Sequence, residues 1–292
     1  MLNPLALSRG CHYLENALRL ATLAELAYRN DPAKELLPFA DHFRRIQAFS
    51  LEGTFGFVVS DEQNLVVALR GTDQVIDWVT NLTTTQMAGM GGWVHDGFYH
   101  ALNIVWNDIL TRVQALRDNG QTVWVTGHSL GGALATIAAA RLTEAGIEPY
   151  ITCTFGAPRC LDPKAAASYL PRLYRFVNKG DLVPTVPPAL SLPWNRYQHT
   201  GSLSITLDKD RTQAAKTDSH DQNLLTIARW FFSPSFDIQK NITQTLINHA
   251  MKSYIALIKD ELGPETVERL EQGRILPFTG ATRIKPRRAL AA

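Results

Sequence analysis

Ser129 stands in Gly127-His128-Ser129-Leu130-Gly131, a Gly-x-Ser-x-Gly spacing. A serine hydroxyl at its free pKa is a poor nucleophile, so it needs a histidine to take its proton and a carboxylate to orient that histidine. Candidates for both follow along the chain. Asp181 sits in "LYRFVNKGDLVPTVPP", behind an apolar run and before a proline-stiffened exit, and His199, His220 and His249 come after it. The order Ser, Asp, His is that of an α/β-hydrolase sheet. A tetrahedral intermediate also needs donors for its oxyanion. The amide of Leu130, next after the serine, is one candidate, and Thr72, at the strand end "VVALRGTD", is either a second, through its amide and hydroxyl, or a strand-terminal turn, which the segment alone favours.

Those residues need elements to hold them. The motif requires a strand before it and a helix after it, because the serine occupies a strained turn crowded on both sides. Val123 to Thr126 reads as that strand, and "LGGALATIAAA" reads as a small-residue helix able to pack close to a sheet, continuing to Ala145 before Gly146. Around them, Leu14 to Tyr28 is expected to be a largely buried helix closed by Asp31-Pro32. Thr54 to Ser60 and Leu65 to Leu69 should pair as a hairpin. A helical patch around Ile76 to Leu82 leads into "TTTQMAGMGGW", whose Gly89, Gly91 and Gly92 read as a hinge or loop. Phe98 to Arg117 is expected to be helical. Downstream come the strand "YITCTFGAP", the helix "PKAAASYL" with Asp162 as its cap, the strands "LYRFV" and "GSLSITL", and helices over Asn223 to Phe232 and Asn248 to Leu262.

The pattern is β-α-β-α-β with strands too apolar to face water, hence an α/β fold with a mostly parallel sheet covered by helices on both faces. With 45% hydrophobic and 19% charged residues, 292 residues suit one domain, expected over 1–292. Lys and Arg total 29 against 27 Asp and Glu, a net charge of +2 that gives no reason to expect nucleic acid. The basic end "RIKPRRALAA" reads as a solvated tail. Cys11, Cys153 and Cys160 are too few and irregular for a disulfide framework, and no His or Cys spacing fits zinc. Arg9, His12 and Glu15 interrupt any secretory leader, so a cytoplasmic setting or signal-independent export is expected. Leu130 to Ala140 is too short to span a bilayer.

The residues alone leave the base open between three histidines. His220 lies in a polar stretch, His199 precedes a strand in a tyrosine-rich setting, and His249 falls after the last strand, where a loop-borne base belongs.

Taken in order, the blocks "LAELAYRN", "VVALRGTDQVIDWVTNL" with Trp78, "VHDGFYHAL", "VTGHSLGGALA", "TFGAPRC" and "VNKGDLVPTVPP" resemble those of the class 3 lipases, the family of the fungal triacylglycerol lipases and their bacterial and plant relatives. The likeness runs from about residue 20 to 190. Beyond it, "NHAMKSY" is similar to the His-x-Met-x-x-Tyr signature that carries the base in many members, and "YQHTG" resembles a separate structural His-x-Gly strand. The resemblance therefore implies an ester hydrolase with Ser129, Asp181 and His249 as its triad, Thr72 and Leu130 as oxyanion donors, and a lid over residues 72–92. No cofactor or metal is implied, and the implied partner is a lipid or other ester substrate. Phospholipid or galactolipid cleavage, a small-ester esterase, an acyltransferase or thioesterase, and a non-catalytic scaffold are the alternatives. Three departures stand out. Ala68-Leu69 replaces the usual aromatic before Arg-Gly, the stretch 208–247, with Trp230-Phe231-Phe232, is a long insertion, and the disulfides of secreted fungal members have no counterpart.

Overall fold

A computed structural model describes residues 2–4, 6–38, 43, 45–72, 74, 84–118, 120–191, 195–210, 212–215 and 238–272. The patch around Ile76 to Leu82 with Trp78, the helix over Asn223 to Phe232 with Trp230-Phe231-Phe232, His220 and the basic tail lie outside them.

In chain order the elements are α1 (Tyr13–Leu26), α2 (Pro32–Leu36), β1 (Arg45–Leu51), β2 (Thr54–Ser60), β3 (Asn64–Leu69), β4 (Gln86–Gly89), β5 (Gly92–His95) and α3 (Asp96–Leu116). The central part holds β6 (Thr122–His128), α4 (Leu130–Glu144), β7 (Ile151–Phe155), α5 (Pro163–Ala167) and β8 (Leu173–Asn178). Then follow β9 (Leu190–Ser191), β10 (Asn195–Arg196), β11 (Leu203–Leu207), β12 (Gln213–Ala215), α6 (Ile238–His249), α7 (Met251–Leu262) and α8 (Pro264–Glu271).

Eight strands form one sheet in the order β1-β2-β3-β6-β7-β8-β11-β12. From β3 to β11 neighbouring strands are parallel, while β1, β2 and β12 add antiparallel edges. Every residue of β3, β6 and β7 is buried, the consequence of strands covered on both faces. Alternation divides the core in two. Phe57, Val66, Trp124, Phe155 and Phe176 face α1 and α7, and Val58, Val67, Val123 and Val125 face α3 and α4. Five alanines and two glycines let α4 lie close on the sheet.

Four local readings change. Asp31 does not merely close α1, since its side chain accepts from Lys34 N and starts α2. The strand β1 was not expected, because "RIQAFSL" carries no clean alternation, and all but Phe49 and Ile46 lie exposed on this edge strand. Gly89, Gly91 and Gly92 build a hairpin between β4 and β5 rather than a hinge. That hairpin is fastened by Asp162, whose Oδ1 accepts from Trp93 N at 2.9 Å and from Ala165 N at 2.8 Å, and by Ser168 Oγ donating to Met90 O at 3.0 Å. Finally, the helix expected over Asn248 to Leu262 is two helices. The chain breaks at Ala250, extended at ψ 137, so His249 ends α6 instead of opening the last helix, and α8 follows α7. Among the described residues, no helix is long and apolar enough to cross a membrane.

Candidate active site

Between β6 and α4 the chain reverses at a single residue, Ser129, with φ 58 and ψ −130. A positive φ on a side-chain-bearing residue costs about 1–3 kcal/mol and persists only where its surroundings impose it. The surroundings do so: Ser129 N donates to Phe155 O at 2.9 Å, and Gly132 N donates to Ser129 O at 2.9 Å. Gly127 and Gly131 are required by space. A Cβ on Gly127 would overlap the Gly131 carbonyl, and one on Gly131 would overlap the Leu69 carbonyl. The serine is thereby lifted to the N-terminal end of α4, where amides and helix dipole favour negative charge.

Asp181 lies in the turn after β8, with 3% of its surface exposed. Its Oδ1 accepts from Val183 N at 2.9 Å, and its Oδ2 accepts from His249 Nδ1 at 2.8 Å and Tyr254 Oη at 2.5 Å. A carboxylate accepting from Nδ1 fixes the His249 tautomer and leaves the Nε2 lone pair as the basic site. Tyr254 Oη in turn accepts from Asn178 N at 3.1 Å. Burial and the Asp181 charge hold the Tyr254 pKa well above its ordinary value, so the phenol stays a donor. No role was read for Tyr254 from sequence, although it is the tyrosine of "NHAMKSY".

His249 is presented by the end of α6, whose last four carbonyls have no partner within the helix. All four are satisfied. Leu246 O accepts from Ala250 N at 3.0 Å, Ile247 O from Ser253 Oγ at 2.6 Å, Asn248 O from Asn178 Nδ2 at 2.8 Å, and His249 O from His128 Nε2 at 2.7 Å. The two atoms that would exchange a proton, Ser129 Oγ and His249 Nε2, are both buried without a hydrogen-bond partner among the described residues, and no hydrogen bond joins them. Such contacts are commonly loose without substrate.

His199, the other histidine candidate among the described residues, points elsewhere. His199 Nε2 donates to Pro184 O at 2.7 Å, away from Asp181. The loop after β3 is seated on the serine turn: a Cβ on Gly71 would lie 2.7 Å from His128 O and 3.1 Å from Ser129 Cβ. Thr72, next in the chain, lines a cavity of about 470 Å³ with Tyr28, His128 and His249. Its Oγ1 accepts from Gln74 N at 3.1 Å, leaving the hydroxyl proton to donate. Leu130 is the first residue of α4. Among the described residues no group of His, Cys, Asp or Glu could hold a metal ion.

Two of these histidines make stability depend on pH. Burial, then the neighbouring His249, push the His128 pKa well below its ordinary 6.5, and burial, then Arg175 and Arg159, do the same to His199. Between that value and the lowered one the unfolded chain holds more protons, so stability falls as pH drops below about 6.5, by about 1.4 kcal/mol per pH unit for each histidine. Urea unfolding at pH 7.5 and 5.5 should show the loss; equal stability at both would contradict it.

A family model for "Lipase (class 3)" matches residues 66–191. The matched stretch, a little under half of the chain, is similar to the class 3 lipases. Over 176 residues it is 36% identical to a secreted mono- and diacylglycerol lipase 1 of Fusarium solani, covering 55% of this chain and 51% of that one. A lipase of Rhizomucor miehei is 34% identical over 141 residues, covering 44% and 39%, and phospholipase A1-II 4 of Oryza sativa subsp. japonica is 29% identical over 167, covering 46% and 42%. The chain thus spans about half or less of the curated relatives it matches. Among solved structures, a lipase from Rhizopus microsporus var. chinensis superposes with TM-score 0.58 at 26% identity, covering 71% of this chain and 80% of that one. A triacylglycerol lipase described as having a serine protease triad as its catalytic centre superposes at 0.63 and 23%, covering 83% and 98%. These neighbours show that the fold is the α/β-hydrolase fold.

Proposed function

We propose that this chain, as a single α/β-hydrolase domain, cleaves lipid carboxylic esters through an acyl-enzyme on Ser129. The observation that carries the reading is the buried Asp181–His249 pair beside the Ser129 turn, with His249 Nε2 and Ser129 Oγ left open. Ser129 Oγ attacks the ester carbonyl as its proton passes to His249 Nε2, and Asp181 stabilises the imidazolium. The tetrahedral oxyanion is received by the Leu130 amide and by Thr72. His249 then protonates the departing alcohol, and water, deprotonated by His249, releases the acid and restores the serine.

The relatives named as mono- and diacylglycerol lipases support an acylglycerol substrate, and their description as secreted supports export as the setting. One observation favours a second head group. The cavity beside His249 is also lined by Arg29 and Lys252 against the single carboxylate of Glu25, which suits an anionic phospholipid, and one relative is named a phospholipase A1.

Hydrolysis of short and long acyl esters, diacylglycerol, triacylglycerol and phosphatidylglycerol by wild type and Ser129→Ala tests both readings. Ester turnover that disappears in Ser129→Ala is expected. Absence of turnover on every ester in the wild type would overturn the hydrolase reading in favour of a scaffold, and turnover of phosphatidylglycerol unaffected by Arg29→Gln with Lys252→Gln would remove the second.

A further inference from the structure

His128 occupies a variable position of Gly-x-Ser-x-Gly, so the serine turn itself does not require a histidine there. Its side chain is nonetheless fully engaged. We propose that His128 is a positioning residue that keeps the base in register with the nucleophile by capping the helix that carries the base. The proposal rests on ester hydrolysis through His249.

The carbonyl of His249 ends α6 and has no intrahelical partner, and His128 Nε2 lies 2.7 Å from it. A carbonyl only accepts, so Nε2 carries the proton. In a neutral ring the lone pair then resides on Nδ1, where Tyr28 Oη, at 2.8 Å, donates. One tautomer satisfies both contacts. The catalytic imidazole is therefore held from two sides, its ring by Asp181 through Nδ1 and its backbone by His128. Because Ser129 is the next residue after His128, the nucleophile and the main chain of the base are linked through one side chain. The two imidazole rings lie 4.5 Å apart between centroids, inclined at 34°. A cationic His128 would oppose the imidazolium that catalysis forms on His249. Burial holds the His128 pKa well below its ordinary value, which favours the neutral ring.

Displacing a reacting group by about 1 Å costs about 10²-fold in rate. His128→Phe fills the site without a donor, whereas His128→Gln returns an N–H at similar reach. On a soluble p-nitrophenyl ester, His128→Phe is expected to lose about 10²-fold in kcat with KM little changed, and His128→Gln to recover most of it. Equal loss in both variants, or a His128→Phe kcat within threefold of wild type, would overturn the proposal. Should His128→Phe fail to fold, nitrogen NMR of the wild-type imidazoles decides instead: a neutral Nε2–H tautomer for His128 is expected, and an Nδ1–H tautomer would overturn it. An inactive wild type would strike the hydrolase reading rather than this bond, which the same NMR measurement still tests.

Discussion

His249→Ala is expected to lower kcat on a short-chain ester by up to about 10⁶-fold, the scale of losing the base of a serine triad. His199→Ala should keep kcat within about tenfold of wild type. The difference follows from what each ring touches. His249 receives its orientation from Asp181 Oδ2 and keeps Nε2 unpartnered beside the serine turn. His199 has spent its Nε2–H on the Pro184 carbonyl and packs near Arg159 and Arg175. Its removal leaves that carbonyl without its donor, a cost of about 1–3 kcal/mol in stability, so thermal unfolding should register His199→Ala where kcat does not. Steady-state kinetics and melting curves on the two variants separate these roles.

Asp181→Asn is expected to reduce kcat by about 10⁴-fold while the fold stays intact. The carboxylate accepts three hydrogens, from Val183 N on Oδ1 and from His249 Nδ1 and Tyr254 Oη on Oδ2. An amide that keeps its oxygen toward His249 turns its NH₂ against the Val183 amide, donor against donor. The opposite orientation removes that clash once His249 moves its proton from Nδ1 to Nε2, and it leaves the Tyr254 hydroxyl, now accepting from the amide, without the carboxylate it donated to. That arrangement, free of clashes, is the wrong tautomer for catalysis, since Nε2–H cannot take the serine proton. A modest change in melting temperature together with the large kcat loss is the expected signature. Near-normal kcat in Asp181→Asn would remove the acid from the account.

The sheet was legible because its signals are local. β3, β6 and β7 are short apolar runs rich in β-branched residues, and the serine turn is written within five positions. The place of Asp181, in the turn after β8, was legible through chain order. What sequence left open was set by contacts distant in the chain. Choosing between His199 and His249 depends on a carboxylate 68 residues before His249, which the resemblance indicated and periodicity did not. Tyr254 escaped notice because a tyrosine on an amphipathic helix reads as packing, and only the fold brings its hydroxyl to Asp181. The break at Ala250 escaped for a similar reason: no Pro or Gly marks it, and side chains from β6, β8 and α7 hold it open. Glycines at 89, 91 and 92 look alike as hinge or turn until Asp162, some seventy residues on, fastens their hairpin.

The central claim, that Ser129 is an activated nucleophile in the folded chain, is tested most directly by reaction with a fluorophosphonate probe followed by intact-mass and peptide analysis. One adduct per chain on Ser129, absent from Ser129→Ala and after denaturation, is the predicted result. A native protein that does not react, or labelling that persists in Ser129→Ala, would contradict it.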